Sequence, residues 1–223
     1  MTLDEQKRAV AEAAVGYVVP GTIVGVGTGS TADFFISALA ARPESVAAAV
    51  ASSEASAAAL RAAGIAVVGL DAAPSLSLYV DGADEVDPQL RLIKGAGGAL
   101  AREKVVASAA ALFVCIVDSS KLVERLGDGP VPLAVLPMAT TLVARRVRTL
   151  GGSPVTRPGH RSDDGAAIID VSGLDLGDPE GLEADLDAIP GVVECGIFAR
   201  RRADVVLAGT AAGVRRLSGR RTP

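Results

Sequence analysis

Two stretches of the chain carry side chains suited to moving a proton beside a carbonyl. They are Tyr79-Val80-Asp81-Gly82-Ala83-Asp84-Glu85 and Leu92-Ile93-Lys94-Gly95-Ala96-Gly97-Gly98-Ala99-Leu100-Ala101-Arg102-Glu103-Lys104. In the first, an apolar run ends on Asp81, and Asp84 follows across a glycine-containing turn. In the second, a glycine-rich turn presents Lys94, and a helix start presents Glu103. A lysine that steadies an oxyanion beside a carboxylate that takes a proton is equipment for enolisation. With a helix beginning near Gly98, Glu103 shares a face with Ala99, Leu100, Val106, Ala107 and Ala110, while Arg102 and Lys104 point away. A carboxylate on an apolar face is either one half of a buried pair or a group whose proton affinity is raised for use. The helix N-terminus acts the other way and favours the anion.

Asp81 lies where a strand of a parallel sheet ends, the place at which open α/β sheets put their ligand crevice. The plain alternative is a solvated Asp-Gly turn. The acidic run through Glu85 and Asp87 also hints at a calcium loop, but it lacks the spacing and the closing glutamate that such a loop needs. Upstream, Gly25-Val26-Gly27-Thr28-Gly29-Ser30-Thr31 joins a strand to a helix. Small residues there admit an anion close to the backbone, and the helix N-terminus offers N–H groups to it. The third glycine of a dinucleotide fingerprint is missing and the loop is too short for a Walker motif. It suits a single phosphate, or the phosphate end of a sugar, with Ser30 and Thr31 adding hydroxyl donors.

Lysine is scarce: Lys7, Lys94, Lys104 and Lys121 are the only four among 22 basic residues. Where arginine supplies generic positive charge, a retained lysine marks a place for a compact ammonium. The one histidine, His160, falls in the turn-like stretch Arg157-Pro158-Gly159-His160-Arg161, and no His/Asp/Glu cluster has metal-ligand spacing. A metal-assisted hydride shift therefore lacks its ligands, and proton transfer through an enediol is favoured.

Positioning these groups requires an α/β framework. Thr2 and Glu5 form a capping-box pattern, and a helix is expected from there to about Val19, broken by Pro20-Gly21. Strands are expected at Thr22–Val26, Val46–Val50, Ala66–Leu70, Leu76–Val80 and Leu112–Val117. Helices are expected at Ala32–Ala40, about Ser53–Ala63 and about Ala99–Ala111. That alternation predicts a Rossmann-like, mostly parallel sheet with helices on both faces. The Gly/Pro-rich stretch Leu126–Pro132 marks a boundary. Beyond it, strand Leu133–Leu136, helix Met138–Leu150, strands Pro154–Arg157 and Ala166–Val171, helix Pro179–Ala188 and strand Val192–Phe198 follow the β-α-β-β-α-β order of a ferredoxin-like α+β unit. Asp204–Leu207 and a helix after Thr210 then return to the first domain. The expected domains are 1–127 plus 203–223, catalytic, and 128–202, smaller and carrying subunit contacts.

Composition narrows the function classes. Hydrophobic residues make up 49% of the chain but aromatic residues only 3%, which suits tight α/β layers and leaves few rings for stacking bases. The net charge is −4 and the basic residues are scattered, so Arg200-Arg201-Arg202, Arg215-Arg216 and Arg220-Arg221 read as solvated surface or subunit contacts, not a nucleic-acid site. Cys115 and Cys195 sit singly in apolar runs, as buried thiols in a reducing compartment do. The N-terminus lacks signal-peptide order and no apolar stretch is long enough to span a bilayer. A soluble, cytoplasmic protein is expected.

The two opening motifs resemble the DGADE and KGGG-x-x-x-REK signatures of the ribose-5-phosphate isomerase family, type A, and the resemblance extends over essentially the whole chain. Ser52-Ser53-Glu54-Ala55-Ser56, Val117-Asp118-Ser119-Ser120-Lys121 and Ile189-Pro190-Gly191-Val192-Val193 are similar to further stretches of that family. The resemblance implies catalytic roles for Glu103 (base), Lys94 (enediolate oxygen) and Asp81 (ring opening). It implies substrate binding by Lys7, Thr28, Gly29, Ser30, Thr31, Asp81, Gly82, Ala83, Asp84, Lys94, Gly95, Ala96, Gly97 and Lys121. It also implies a sugar-phosphate substrate, no metal or organic cofactor, and a homodimer or homotetramer. The chain departs from the family at Ala96, where glycine is usual, at Ala134, and at Ser162-Asp163-Asp164-Gly165-Ala166. An amino-sugar phosphate deaminase would use the same glycine loop but would need an acid–base histidine. A sugar-phosphate sensor would bind without needing Glu103 and would usually carry a DNA-binding segment.

Overall fold

A computed structural model describes residues 1–218 of the protein; the basic pair Arg220-Arg221 lies outside the described residues. In chain order the elements begin with α1 (Leu3–Val15), β1 (Thr22–Val26), α2 (Ser30–Ala40), β2 (Val46–Ala51), α3 (Glu54–Ala62) and β3 (Leu76–Asp81). There follow β4 (Glu85–Val86), β5 (Leu92–Ile93), α4 (Leu100–Ala109), β6 (Ala110–Asp118), β7 (Val131–Val135) and α5 (Thr140–Thr149). The last are β8 (Ser153–Arg161), β9 (Ala167–Ser172), α6 (Pro179–Asp187), β10 (Val192–Cys195), β11 (Ile197–Phe198), β12 (Val205–Thr210) and β13 (Gly213–Ser218). The chain divides into two units. The first holds Met1–Ala83, Arg102–Leu122 and the chain from Ala203 on; the second holds Asp84–Ala101 and Val123–Arg202. The segment 84–101, which the sequence places with the larger domain, thus groups with the second unit.

In the first unit a six-stranded sheet has the order β13-β12-β6-β3-β1-β2. β2, β1, β3, β6 and β12 run parallel, and β13 closes the edge antiparallel to β12. The strands are buried runs of Val, Ile, Leu and Ala, as parallel strands covered on both faces must be. Leu78 and Val80 of β3 join the core formed with Val10, Ala11 and Ala14 of α1 and Phe35, Ile36 and Leu39 of α2. Each large side chain fully buried there contributes about 1.5–3 kcal/mol. Tyr79 and Asp81 alternate to the other face, where Tyr79 packs on Phe113 of β6 with ring centroids 5.1 Å apart. A Cβ added at Gly25 of β1 would come within 2.8 Å of both Tyr79 and Val106, so α4 lies close over this second face. From β1 the chain reaches β2 on one side and β3 on the other. The carboxyl ends of β1 and β3 therefore meet at the topological switch point of the sheet.

The second unit carries a four-stranded antiparallel sheet, order β10-β7-β9-β8, with α5 and α6 between its strands in the chain. The β-α-β-β-α-β succession in this spatial order is the split-βαβ arrangement predicted from sequence. A separate three-stranded sheet, order β11-β5-β4, carries the turn that leads to Lys94.

The local structure differs from expectation in several places. The expected strand Val192–Phe198 is split into β10 and β11, which belong to different sheets. Ala66–Leu70 is not a strand: only Val67 bridges to Ala49, and a 3₁₀ turn follows at Leu70–Ala72. No helix follows Thr210. The pair Ala211-Ala212 makes a tight hairpin in which Thr210 faces Gly213, whose φ of 118° suits glycine, and the chain returns as β13. His160 lies in β8, not in a turn; the strand absorbs Pro158-Gly159 through a register shift between Thr156 and Arg161. Lys104 does not point away from the buried side of α4: it is buried, whereas Val105 is exposed.

Candidate active site

β1 ends in Gly27-Thr28-Gly29, and α2 begins at Ser30. A Cβ at Gly27 would fall 1.9 Å from Asp81 Oδ1, so only glycine lets the loop pass this close to the end of β3. Gly29 takes φ 102° and provides no side-chain cap, leaving the α2 N-terminus without a competing side-chain acceptor. Ser30 is exposed and Thr31 half-buried at that end. Thr28 behaves differently. Its N–H donates to Asp81 Oδ1 (3.0 Å), and its hydroxyl meets Ser52 Oγ (3.0 Å) and Ser56 Oγ (3.3 Å). Ser56 also donates to the Gly27 carbonyl (2.6 Å), and Ser53 caps α3. The serine-rich stretch thus braces the loop from beneath, and Thr28 is an anchor of the loop with its N–H and hydroxyl turned inward.

Lys7 and Lys121 come from elements tied to one another. Gln6 of α1, buried beside Lys7, accepts the Ser119 N–H (2.9 Å) through its amide oxygen. Asp118 caps the same 3₁₀ turn by accepting from Ser120 N–H (2.9 Å) and Ser120 Oγ (2.5 Å). Lys121 is half-buried at the end of that turn. Lys7 Nζ lies 3.4 Å from Asp4.

Asp81 is completely buried. Its Oδ1 accepts from the N–H groups of Thr28 (3.0 Å) and Gly82 (2.7 Å), and its Oδ2 from the Tyr79 phenol (2.5 Å). Tyr79 is itself fully buried, and its pKa is raised well above the ordinary 10.0, first by burial, then by the Asp81 and Glu103 carboxylates. A hydrogen bond with Ser52 acts in the opposite direction. Tyr79 is therefore a neutral donor placed in the field of both carboxylates. Glu103, only 4% exposed in the first turn of α4, lies on the buried side of that helix with Val106 and Ala107, as its spacing predicts. Arg102 turns aside to pair with Glu54 (2.9 Å).

In the second unit, Asp84 binds the loop that follows β5. Its N–H donates to the Ile93 carbonyl (2.8 Å), and its Oδ2 accepts the Ala96 N–H (2.9 Å). The Ala96 amide is thus spent on Asp84. Lys94, 3% exposed, is fixed by its N–H to the Gly196 carbonyl (2.9 Å), and its ammonium lies 5.7 Å from the centre of the Phe198 ring. Gly95 and Gly98 both need positive φ, 109° and 81°. Arg157 of β8 donates to the carbonyls of Ala96 (2.7 Å) and Gly95 (3.3 Å) while its fork grips both oxygens of Asp170 (2.6 and 2.7 Å). The rest of the acidic run is structural. Glu85 accepts from the Gly127 and Gly129 N–H groups, and Asp87 from Gln89, Arg91 and the Arg91 side chain. The one cluster of metal-type donors among the described residues, Asp187, Glu194 and Cys195, lies apart from this loop in sequence, on α6 and β10.

Sequence reasoning missed Tyr79, Gln6 and Arg157. For Tyr79 a signal existed, since alternation along β3 puts it on the face of Asp81. For Gln6 and Arg157 the partners are remote in sequence and nothing local marks them.

A glycine loop at the switch point of the first unit's sheet, with a buried carboxylate at the end of β3 and another on α4, defines the class: an α/β protein with a small-ligand crevice at the carboxyl edge of its parallel sheet. Residues 48–213 match the family model of ribose 5-phosphate isomerase A (phosphoriboisomerase A). The chain is 54% identical over 214 residues to ribose-5-phosphate isomerase A of Acidithiobacillus ferrooxidans, covering 96% of this chain and 98% of the relative. It is 52% identical over 224 residues to the Bordetella bronchiseptica protein, covering 99% of each. The solved ribose 5-phosphate isomerase A of Neisseria gonorrhoeae superposes with a TM-score of 0.95 at 44% identity, over 97% of each chain. A D-ribose-5-phosphate isomerase solved in complex with phospho-erythronic acid superposes with a TM-score of 0.94 at 35% identity, over 98% of this chain and all of that one. The chain belongs to the ribose 5-phosphate isomerase A family.

Proposed function

We propose that the protein interconverts D-ribose 5-phosphate and D-ribulose 5-phosphate through a cis-enediolate, in the non-oxidative pentose phosphate pathway. The phosphate rests on the N-terminus of α2 with Gly29, Ser30 and Thr31, and is met by Lys7 and Lys121; Thr28 holds the loop that carries it. Asp81, Gly82, Ala83 and Asp84 border the sugar, and Asp81 assists opening of the furanose ring. Glu103 removes the C2 proton while the electrons of that C–H bond form C1=C2 and the C1 carbonyl becomes an enolate oxygen. Lys94, with the Gly95–Gly97 turn, steadies that oxygen. The proton passes from O2 to O1, Glu103 returns its proton to C1, and the ketose is formed with no atom gained or lost. These steps call on no metal or organic cofactor.

The observation that carries the reading is the placement of Glu103: a carboxylate 4% exposed, on a helix of a chain in this family. A carboxylate on that face of α4, where its spacing puts it, is the kind of group that general-base removal of a carbon-bound proton needs. The relative that binds phospho-erythronic acid adds support. That acid joins a phosphate to a planar carboxylate, a shape shared with the enediolate of a pentose phosphate. Assembly as a homodimer or homotetramer in the cytoplasm completes the proposal. It is supported by exposed apolar side chains on the second unit, Met138 (94% exposed), Val155 (67%) and Leu136 (49%). No helix among the described residues is long and apolar enough to cross a membrane. No nucleic-acid partner is proposed.

The test is conversion of ribose 5-phosphate by purified protein in excess EDTA, followed as ketose formation. Sustained conversion is expected. A folded protein that binds the sugar phosphate and makes no ketose contradicts the reading.

A further inference from the structure

We infer that Tyr79 is a positioning residue which, through Asp81, holds the Gly27–Thr31 loop in the shape that receives the substrate's phosphate. The inference rests on the reading of that loop as the phosphate site and adds a residue to which the resemblance described above gives no role. Tyr79 and Asp81 stand two residues apart on β3, so both side chains leave the same face of the sheet. The phenol donates to Asp81 Oδ2 at 2.5 Å. That bond restrains the rotation of the carboxylate, and so helps to aim Oδ1 at the N–H groups of Thr28 (3.0 Å) and Gly82 (2.7 Å). One buried carboxylate thereby joins β3, the acidic turn and the phosphate loop.

The loop has little other freedom. Gly27 N–H donates to the Val80 carbonyl (2.8 Å), the Gly27 carbonyl accepts from Ser56 (2.6 Å), and the Thr28 hydroxyl meets Ser52 (3.0 Å). The Thr28 N–H is the backbone donor next before Gly29, where α2 is capped, so its direction sets how the following N–H groups converge on an anion. Without the phenol hydroxyl, Asp81 Oδ2 loses a donor that holds the carboxylate against rotation, and the bond from Thr28 N–H to Oδ1 is less firmly aimed. Because burial and two carboxylates keep the phenol protonated, it serves as a donor across the working pH range.

Tyr79→Phe keeps the ring on Phe113 and removes only the hydroxyl. It is expected to weaken inorganic phosphate, measured as a competitive inhibitor and by its thermal stabilisation of the protein, about tenfold, the loss of roughly one hydrogen bond to a charged group. KM for ribose 5-phosphate should rise with it, by more than kcat falls. A merely structural role would lower the melting temperature and leave the phosphate dissociation constant where it was, and that result overturns the inference. If wild-type protein itself shows no competition by inorganic phosphate, the loop reading fails first and takes the inference with it. A second measurement needs no variant at that site. The chain has two tyrosines, Tyr17 and Tyr79, so protein labelled with 3-fluorotyrosine gives two fluorine resonances, assigned through Tyr17→Phe. The Tyr79 resonance should move as inorganic phosphate is titrated in; a Tyr79 resonance that stays fixed while phosphate binds overturns the inference.

Discussion

Burial, then the Asp81 carboxylate, then Glu103 all resist ionisation of the Tyr79 phenol and raise its pKa above the ordinary 10.0. The unfolded chain therefore releases this proton first as pH rises. The stability held by the buried phenol is present in full below about pH 10 and is lost as pH climbs from there toward the folded pKa. Urea midpoints measured from neutral to strongly alkaline pH should fall more steeply for wild type than for Tyr79→Phe; identical alkaline slopes would contradict this. Lys121→Ala should raise KM for ribose 5-phosphate about tenfold while kcat changes little, as loss of a charge-assisted contact made equally in ground and transition states requires. An unchanged KM would remove Lys121 from the phosphate site. The residues legible in sequence were those whose chemistry clashed with their surroundings: Asp81 at the end of an apolar strand, Glu103 on an apolar stripe, and lysine retained in an arginine-rich chain. Tyr79 and Gln6 looked like ordinary members of a strand and a helix. What marks them is a partner that only the folded chain supplies, Asp81 Oδ2 for one and the Ser119 N–H for the other.

Two loops are the elements on which the proposed chemistry depends, and each is shaped by a close approach. Gly27→Ala would set a methyl group 1.9 Å from the Asp81 carboxylate oxygen. Loop and carboxylate must then part, at a cost of about 1–3 kcal/mol in stability by analogy with overpacked cores. A fall in both melting temperature and kcat/KM is expected; wild-type kinetics would show that the loop tolerates the displacement. In the second unit, Arg157→Lys replaces a fork that holds Asp170 and two loop carbonyls with a single ammonium. We expect kcat/KM to drop roughly tenfold, with the fold intact by circular dichroism. Equal kinetics would show that the Gly95 and Ala96 carbonyls need no such support. Strands and helices with strong periodicity, such as α1 with its capping box and the run of β3, were legible. The segment after Thr210 was not, because its alternation is hidden by arginine and its direction is set by a hairpin and by pairing with β12. Pro158-Gly159 likewise read as a turn, since the bulge that accommodates it in β8 depends on β9 as partner.

For the whole molecule, the mostly parallel sheet and the split-βαβ unit were legible in the succession of elements, while the strand order of the large sheet and the grouping of 84–101 with the second unit were not. That segment continues an α/β run in sequence, yet β4 pairs with β5, and β5 pairs in turn with β11, more than a hundred residues further along. Sedimentation of the purified protein should show a dimer or tetramer, with Met138→Glu shifting it toward monomer; a monomeric wild type would contradict the proposed assembly. The central claim is that this chain isomerises ribose 5-phosphate by proton transfer at Glu103. The measurement that tests it most directly compares wild type with Glu103→Gln, in excess EDTA, over a full range of ribose 5-phosphate. The account predicts sustained wild-type turnover and a kcat about 10²- to 10⁴-fold lower in the variant, the usual weight of a general base, with KM changed far less. A variant that keeps its kcat and loses only affinity would contradict it.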